Sequence, residues 1–386
     1  MKCLHIVLNS FTHDSRVLKE CQTLAVSGHV VTVLALHSDG LPLVENQSFG
    51  SVHRVRLRTR GWSKHPLVQM FKYVECTGRM AIRGLRSRPD VVQAHDLEAL
   101  PIGFLIARLT HARLVYDSHE LWEDVTSVRH YPPLLVRLLR FLERACARRA
   151  DAVITVSGGI ARRMASELQI HEPVIVRNLP LGRVRSAPGA GPLRRALGLG
   201  PSVPIVLYQG AIGPDYGVDT LVAAMPTVTP TAVAVFLGNG ESVVALGESV
   251  VRLGLERRVL FHEAVPPDML LDFTADATIG VCPIRDLSLS YRYCLPNKLF
   301  EYIQAGLPVV VSDLPEMAGI VEQYRAGLAF PSGDAAKLAD ALNSMICDPA
   351  ALQRFREQVQ MAGAELRWEL EELKLLQVYG QLAGAA

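Results

Sequence analysis

Leu295-Pro-Asn-Lys-Leu-Phe-Glu-Tyr-Ile-Gln-Ala-Gly-Leu-Pro-Val-Val-Val-Ser312 reads as a short helix that turns back into a buried strand. Pro296 suits the first helical position, where a missing N–H costs no hydrogen bond. Leu299, Phe300, Tyr302 and Ile303 are spaced to press one helix face into a core. Gly306 ends the helix and Pro308 opens the strand Val309–Ser312, too apolar to be anything but covered on both faces. A helix returning to a buried strand is half of a βαβ unit, so this stretch predicts an α/β fold with parallel sheets.

The same grammar extends outward in both directions. Towards the C-terminus it predicts a strand at Gly327–Phe330 and one long amphipathic helix over about Ala351–Leu382. Towards the N-terminus it predicts strands at Ile205–Tyr208, Ala232–Leu237, Val259–His262 and Thr278–Cys282. A Gly, Pro and Ala-rich stretch, Leu181–Pro192, then has the composition of a linker. Before it the alternation runs again, with strands at Leu4–Leu8, Val30–Leu36, Val91–Ala94, Leu114–Asp117, Ala152–Val156 and Val174–Asn178. A first helix over Ser15–Ser27 is closed by Gly28. A chain of 386 residues fits two such domains. Open α/β sheets bind ligands at the carboxyl ends of their strands.

Lys298 and Glu301 lie three residues apart and share a face near a helix N-terminus. That arrangement suits a nucleoside diphosphate, with the helix end and the lysine on the phosphates and the carboxylate on ribose hydroxyls. An exposed salt pair is the competing reading. Gly210-Ala-Ile-Gly-Pro-Asp-Tyr-Gly217 follows a strand and precedes a helix, so its amides can approach phosphate. Gly238-Asn-Gly240 is a second strand-end turn. No Gly-x-Gly-x-x-Gly follows the first strand: Asn9-Ser-Phe-Thr-His-Asp14 has no glycine, which excludes the usual dinucleotide oxidoreductase. Along the chain, carboxylates and histidines show no metal-ligand spacing and no Asp-x-Asp occurs, so no metal is expected.

Residues 288–312 resemble the donor site of glycosyltransferase family 4, whose fold is GT-B. That is α/β, with two Rossmann-like, doubly wound parallel-sheet domains and an interdomain cleft. Glu301 matches the family glutamate that binds the nucleotide ribose, and Ala305–Ser312 matches the strand after it. Further motifs in family order are Asp14–Val33, Ala94-His-Asp96, Val115-Tyr-Asp-Ser-His-Glu120, Asp151–Ser157 and Val174–Pro180. The chain departs from the pattern in three places. Tyr293 replaces a first glutamate, and Ala211 and Tyr216 stand where basic residues are usual. Lys298 must then carry more of the diphosphate, with Arg292, Arg285 or Arg16 as substitutes.

The resemblance implies an acceptor-side domain over 1–180, a linker over 181–203, a donor domain over 204–365, and a helix over 366–386 packing back on the first domain. It implies catalytic roles for His119, Lys298 and Glu301. Donor contacts would come from Gly210, Tyr216, Gly238, Gly240, Arg292, Tyr293, Leu295, Pro296 and Asn297. Acceptor-side residues would be Asn9, His13, Asp14, Arg16, His95 and Asp96. The reaction implied moves a sugar from a nucleoside-diphosphate sugar, UDP before GDP, to a glycan, lipid-linked or small acceptor, with retention and without cofactor or metal. A nucleotide-sugar 2-epimerase-like isomerase and a catalytically silent binding protein are the alternatives.

Charge is unevenly divided. Residues 1–180 hold 24 Lys and Arg against 16 Asp and Glu, and the rest hold 16 against 22. The basic half therefore suits an anionic acceptor or a membrane surface. Its arginines follow no nucleic-acid motif, and nucleic acid is not expected. No CxxC pair occurs among the seven cysteines, which read as reduced thiols. With no signal peptide and no apolar run near the ~20 residues that span a bilayer, the expected location is cytoplasmic, peripheral at the inner membrane face.

Overall fold

The computed structural model describes residues 1–12, 14–63, 65–122, 131–182 and 191–384. They divide into two compact units, Met1–Arg177 with Glu372–Ala386, and Asn178–Glu371. Each is an α/β layer structure around a mostly parallel sheet, as the alternation predicts.

The first unit runs β1 (Lys2–Ile6), α1 (Ser15–Val26), β2 (Val30–Leu36), β3 (Val44–Gln47), β4 (Gly50–Val55), α2 (Pro66–Ser87), β5 (Val91–His95), α3 (Asp96–Thr110), β6 (Arg113–Ser118), α4 (Pro133–Ala147), β7 (Ala152–Thr155), α5 (Gly158–Leu168) and β8 (Val174–Ile175). The sheet order is β3-β4-β2-β1-β5-β6-β7-β8, parallel except for the β3–β4 hairpin. Strand β5 shows why the layers separate. Val92 and Ala94 face α3, which comes so close at Gly103 that a Cβ there would lie 2.9 Å from Ala94 Cβ. Gln93 and His95 point to the opposite face, towards α1. Asp14 caps α1 by accepting a hydrogen bond from the Val17 N–H.

The second unit runs α6 (Pro192–Leu197), β9 (Ile205–Gln209), α7 (Val218–Ala224), β10 (Val233–Leu237), α8 (Val243–Arg252), β11 (Val259–His262), α9 (Pro267–Thr274), β12 (Ile279–Cys282), α10 (Leu289–Arg292), α11 (Asn297–Gln304), β13 (Val309–Ser312), α12 (Pro315–Tyr324), β14 (Gly327–Phe330), α13 (Ala335–Ile346), α14 (Pro349–Glu365) and the start of α15 (Trp368–Gly384), which from Glu372 onward belongs to the first unit. Its strand order is β11-β10-β9-β12-β13-β14, all parallel. Connections reverse direction between β9 and β12, where such sheets open a crevice beyond their strand ends. Leu299, Phe300, Tyr302 and Ile303 of α11 are buried on one face of this sheet, and Val206, Tyr208 and Phe236 on the other.

Several expectations are corrected. The long terminal helix is two, broken at Leu366. There the carbonyls of Gly363 and Leu366 accept from Gln304 Nε2 at 2.7 and 2.9 Å, so leaving helical geometry costs no hydrogen bond. Of the linker, residues 183–190 lie outside the described residues, and 192–197 fold as α6 with Leu193 fully buried. Pro296 precedes α11 as its N-cap residue and is not its first residue. The hairpin β3–β4 and helix α2 were not anticipated, because Val44-Glu-Asn-Gln47 is largely exposed and carries no apolar alternation.

Candidate active site

At the carboxyl end of β9 the chain turns at Gly210 with φ +104°, a conformation that favours glycine. A Cβ at Gly210 would sit 3.7 Å from the Lys298 ammonium, which reaches this turn from the first turn of α11. The ammonium lies 3.8 Å from the centre of the Tyr208 ring and 5.3 Å from that of Tyr216. Lys298 is only 9% exposed. Burial pushes its pKa down to about 8, against the opposing pull of Cys282, Glu301 and Cys294. One helical turn on, Glu301 Oε2 accepts a 2.6 Å hydrogen bond from Gln209 Nε2. Gln209 is itself held, since its Oε1 accepts from Thr274 Oγ1 at 2.7 Å and its backbone N–H donates to Tyr302 Oη at 2.9 Å. The turns around the lysine are tightly threaded. A Cβ at Gly238 would fall 2.0 Å from the Gly210 carbonyl oxygen, and one at Gly240 would fall 2.1 Å from that of Ile212. One buried ammonium and a helix N-terminus therefore meet at the glycine turn that ends β9, a fixed charge and a dipole that suit a phosphate.

A second polar cluster fills the first unit around Asp117 at the end of β6. Arg16 grips that carboxylate through Nη2 at 2.7 Å and Nε at 3.2 Å, and its Nε lies 3.1 Å from Glu20 Oε1. Gln93 Nε2 donates to Glu20 Oε2 at 2.8 Å, and the buried Tyr379 of α15 donates to Gln93 Oε1 at 2.6 Å. His95 Nδ1 stands 3.2 Å from Asp117 Oδ2, and its Nε2 is 3.0 Å from His5 Nδ1. His119 lies between two carboxylates, Nδ1 3.2 Å from Asp96 Oδ2 and Nε2 3.3 Å from Asp117 Oδ2. Burial opposes its protonation, but Asp96 and Asp117 prevail and hold His119 well above the ordinary histidine range. Burial also opposes ionisation of Asp117, yet Arg16 and His119 hold it well below the carboxylate range. Burial and Asp117 push Glu20 up to about 7 against the pull of Arg16. Asp96 adopts φ +62°, a left-handed conformation uncommon for aspartate that turns its carboxylate back to the His119 N–H at 2.9 Å.

Both halves of the chain match family models. Residues 14–180 match the Glycosyl transferase 4-like domain, and residues 203–348 match Glycosyl transferases group 1. The chain belongs to the family 4-type glycosyltransferases. Its relatives include the D-inositol 3-phosphate glycosyltransferase of Nocardia farcinica, 26% identical over 315 residues that cover 78% of this chain and 68% of that protein. The glycogen synthase of Mycobacterium tuberculosis is 25% identical over 385 residues, covering 92% and 87%. Among solved structures, sucrose-phosphate synthase from Thermosynechococcus elongatus superposes with a TM-score of 0.83 at 19% identity over the whole of both chains. Anabaena HepE, solved in complex with UDP, superposes at 0.73 with 18% identity over 99% of this chain and 100% of that one. These likenesses show the GT-B fold of the glycosyltransferase.

Within this glycosyltransferase the anticipated residues separate into two groups. Gly210, Tyr216, Gly238, Gly240, Lys298 and Glu301 come together in the second unit. Asn9, Asp14, Arg16, His95, Asp96 and His119 lie in the first; Asn9 Nδ2 donates to Asp14 Oδ2 at 3.0 Å, which braces the loop before α1. His13 lies outside the described residues. Arg16 is not a cation waiting for phosphate: it is 4% exposed and committed to Asp117, Glu20 and the Val176 carbonyl. Arg292 pairs with Asp286 at 2.6 Å and Arg285 pairs with Asp219, so all three proposed substitutes for the missing loop cations, Arg16 included, already hold carboxylates. Tyr293, Leu295 and Pro296 form the connection into α11, and Asn297 accepts from Asn178 Nδ2 at 2.9 Å. His119 has both ring nitrogens facing carboxylates, so it presents charge more than a hydrogen-bond donor.

Sequence reasoning missed Tyr208, Gln209, Thr274, His5, Glu20, Gln93 and Tyr379. A glutamine ending a buried strand and a glutamate inside an otherwise buried helix face were the available signals. It also missed the gathering of His95, Asp117 and His119, and of His5, Glu20 and His95, each within 4.8 Å. Asp117 and His119 are two residues apart at the end of β6, but His5, His95 and Glu20 come from β1, β5 and α1, so no spacing along the chain brings the whole group together. Arg16 is the cation already seated there, bridging the carboxylates of Glu20 and Asp117.

Proposed function

We propose that the protein transfers a sugar from a nucleoside-diphosphate sugar, with UDP favoured over GDP, to an acceptor nucleophile. The observation that carries this reading is the buried Lys298 ammonium beside Gly210, with Glu301 one turn on and oriented by Gln209. Lys298, the turn amides and the α11 N-terminus meet the diphosphate, and Glu301 accepts hydrogen bonds from the ribose. Tyr216 takes a different part from the basic residue usual at its position: its ring faces the ammonium and helps hold it. The relatives' names support sugar transfer, and the complex of HepE with UDP supports UDP as a nucleotide suited to this fold.

In this reading the leaving diphosphate is stabilised without a metal, by fixed charges and dipoles that need no reorganisation. The reaction retains anomeric configuration, and the departing phosphate takes the acceptor proton. The acceptor is anionic or lipid-linked, met by the basic first half at a membrane surface. The test is a melting-temperature panel with UDP, GDP, ADP and TDP, followed by turnover of the matching nucleotide sugars. UDP should stabilise most, because a ligand bound by the native state alone raises stability by mass action. Nucleotide released only in the presence of acceptor supports transfer; isomerised donor with no nucleotide release would establish the epimerase-like alternative.

A further inference from the structure

Between Glu45 and Glu75 the chain has no acidic residue and six Lys and Arg, four of them alternating as Arg54-Val-Arg-Leu-Arg-Thr-Arg60 just before Gly61 and Trp62. This stretch runs out of β4 at its carboxyl end, the side of a parallel sheet where ligands bind. Two bonds tie it to neighbouring strand ends. Arg54 Nε donates to the Ser10 carbonyl at 3.0 Å, in the loop that holds Asn9 and Asp14, and Arg60 Nη2 donates to Ser38 Oγ at 2.9 Å beyond β2. Side chains of α2 then hold the backbone of the loop. Glu75 accepts from the Arg58 and Thr59 N–H groups at 2.8 and 3.0 Å and from the Thr59 hydroxyl at 2.7 Å. Lys72 donates to the carbonyls of Arg60 and Trp62 at 3.3 and 2.8 Å. Burial opposes ionisation of Glu75, but those N–H groups, the hydroxyl and Arg79 hold it down to about 2. The course of the loop is thus fixed without calling on its outward side chains.

Those outward side chains point to a ligand. Val55 and Thr59 are buried and Leu57 is half-buried, whereas Arg56 and Arg58 turn outward. Among the described residues neither guanidinium has a carboxylate partner, unlike Arg54 on Glu45 and Arg79 on Glu75. Trp62 is 57% exposed, where Trp368 is buried. We infer that residues 56–62 are an acceptor subsite for an anionic saccharide, with Arg56 and Arg58 on its carboxylate or phosphate and the Trp62 indole against a sugar ring. Guanidinium groups take planar oxyanions through paired hydrogen bonds. The C–H face of a pyranose is apolar and can cover an indole while the sugar hydroxyls stay in water. Because α2 already holds the loop, little ordering entropy is lost on binding. Single-stranded nucleic acid also binds arginine beside aromatic rings, but it needs successive rings, and residues 56–62 have one. This names the substrate class for the acceptor half of the reading above, rests on that half, and uses none of the donor contacts.

The test is calorimetric titration of the full chain with two pairs of probes. One pair is a tetrasaccharide of alternating glucuronic acid and N-acetylglucosamine against neutral maltotetraose, and the other is glucose 6-phosphate against glucose. The wild type should bind at least one anionic probe ~10-fold or more tightly than its neutral counterpart, and high salt should erase the difference. The pair that shows it separates carboxylate from phosphate. Arg56→Gln with Arg58→Gln should erase the same difference at an unchanged melting temperature. If that double variant melts early, the salt dependence of the wild type gives the same reading. Trp62→Ala should weaken the anionic and the neutral probe alike, by ~10-fold, because stacking is blind to charge, and Trp62→Tyr should restore most of the binding. Stabilisation by UDP should stay at the wild-type value in all of these variants. No preference for either anionic probe, a preference that survives loss of both arginines, or tighter binding of a single-stranded DNA oligonucleotide would each overturn the proposal. Absence of UDP stabilisation in the wild type would count against the donor reading and leave this one standing.

Discussion

Lys298 is stable in its pocket only because aromatic faces and nearby polar groups replace part of its water, and the exchange is incomplete. With a folded pKa of about 8 against 10.5, the native state binds this proton less well than the unfolded chain does. The unfolded state therefore holds more protons between those two values, and the Lys298 contribution to stability rises with pH across that window. Nucleotide binding should move the opposite way. The diphosphate needs the ammonium, so UDP affinity should fall by up to ~10-fold per pH unit above about 8, with proton uptake on binding. Calorimetry in buffers of different ionisation enthalpy measures both, and Lys298→Arg should flatten the profile. Lys298→Ala should lower kcat/KM by at least ~100-fold, about 2.7 kcal/mol, if the side chain meets charge in the transition state. A loss under tenfold would reduce it to a packing residue. Glu301→Gln should cost on the order of 1.5–3 kcal/mol in nucleotide binding without unfolding, since only a charge-assisted hydrogen bond is lost. Unchanged kinetics in the folded variant would remove Glu301 from the site.

Elements position these residues through contacts that tolerate little change. Strand β12 passes beneath α11 so closely that a Cβ on Gly280 would lie 2.4 Å from the Tyr302 ring. That ring cannot move freely, because Tyr302 Oη accepts from the Gln209 N–H and donates towards the Leu207 carbonyl at 3.1 Å. Gly280→Ala should therefore displace α11, costing about 1–3 kcal/mol of stability as overpacking does. Nucleotide affinity should fall with it, because Lys298 and Glu301 ride on the same helix; a denaturant melt with a UDP titration would show both losses together. Full UDP affinity in a destabilised variant would mean that α11 adjusts independently of its support.

At the scale of the whole molecule, the chain returns to where it began. Leu375 and Tyr379 of α15 are within 1% of fully buried in the first unit, and Thr23 Oγ1 donates to Glu372 Oε2 at 2.5 Å. Tyr379→Phe would leave the buried Gln93 Oε1 without its donor, at a cost of about 1–3 kcal/mol. Deleting residues 372–386 should do far more, because it uncovers an apolar face instead of removing one bond; the first unit should melt early or fail to fold. Chelation addresses the molecule as a catalyst. Excess EDTA should leave initial rates within about twofold, since metal-assisted departure would lose much more. A large loss restored by magnesium or manganese would reject the metal-free reading.

Alternation of short apolar strands with amphipathic helices was enough to specify two parallel-sheet units, because that periodicity is written residue by residue. The Lys298–Glu301 pair was legible for the same reason: three residues along one helix stay neighbours however the helix packs. The β3–β4 hairpin left no such mark, being an exposed edge whose side chains need no pattern. The state of the charged groups was decided by tertiary structure alone. Arg16 looked like a free cation at a helix start, and only the approach of β6 and α1 turns it into the buried counter-ion of Asp117 and Glu20. Arg285 and Arg292 likewise have carboxylate partners that their spacing does not predict. Burial and long-range pairing depend on which strands become neighbours, and the free energy of a charge depends on both.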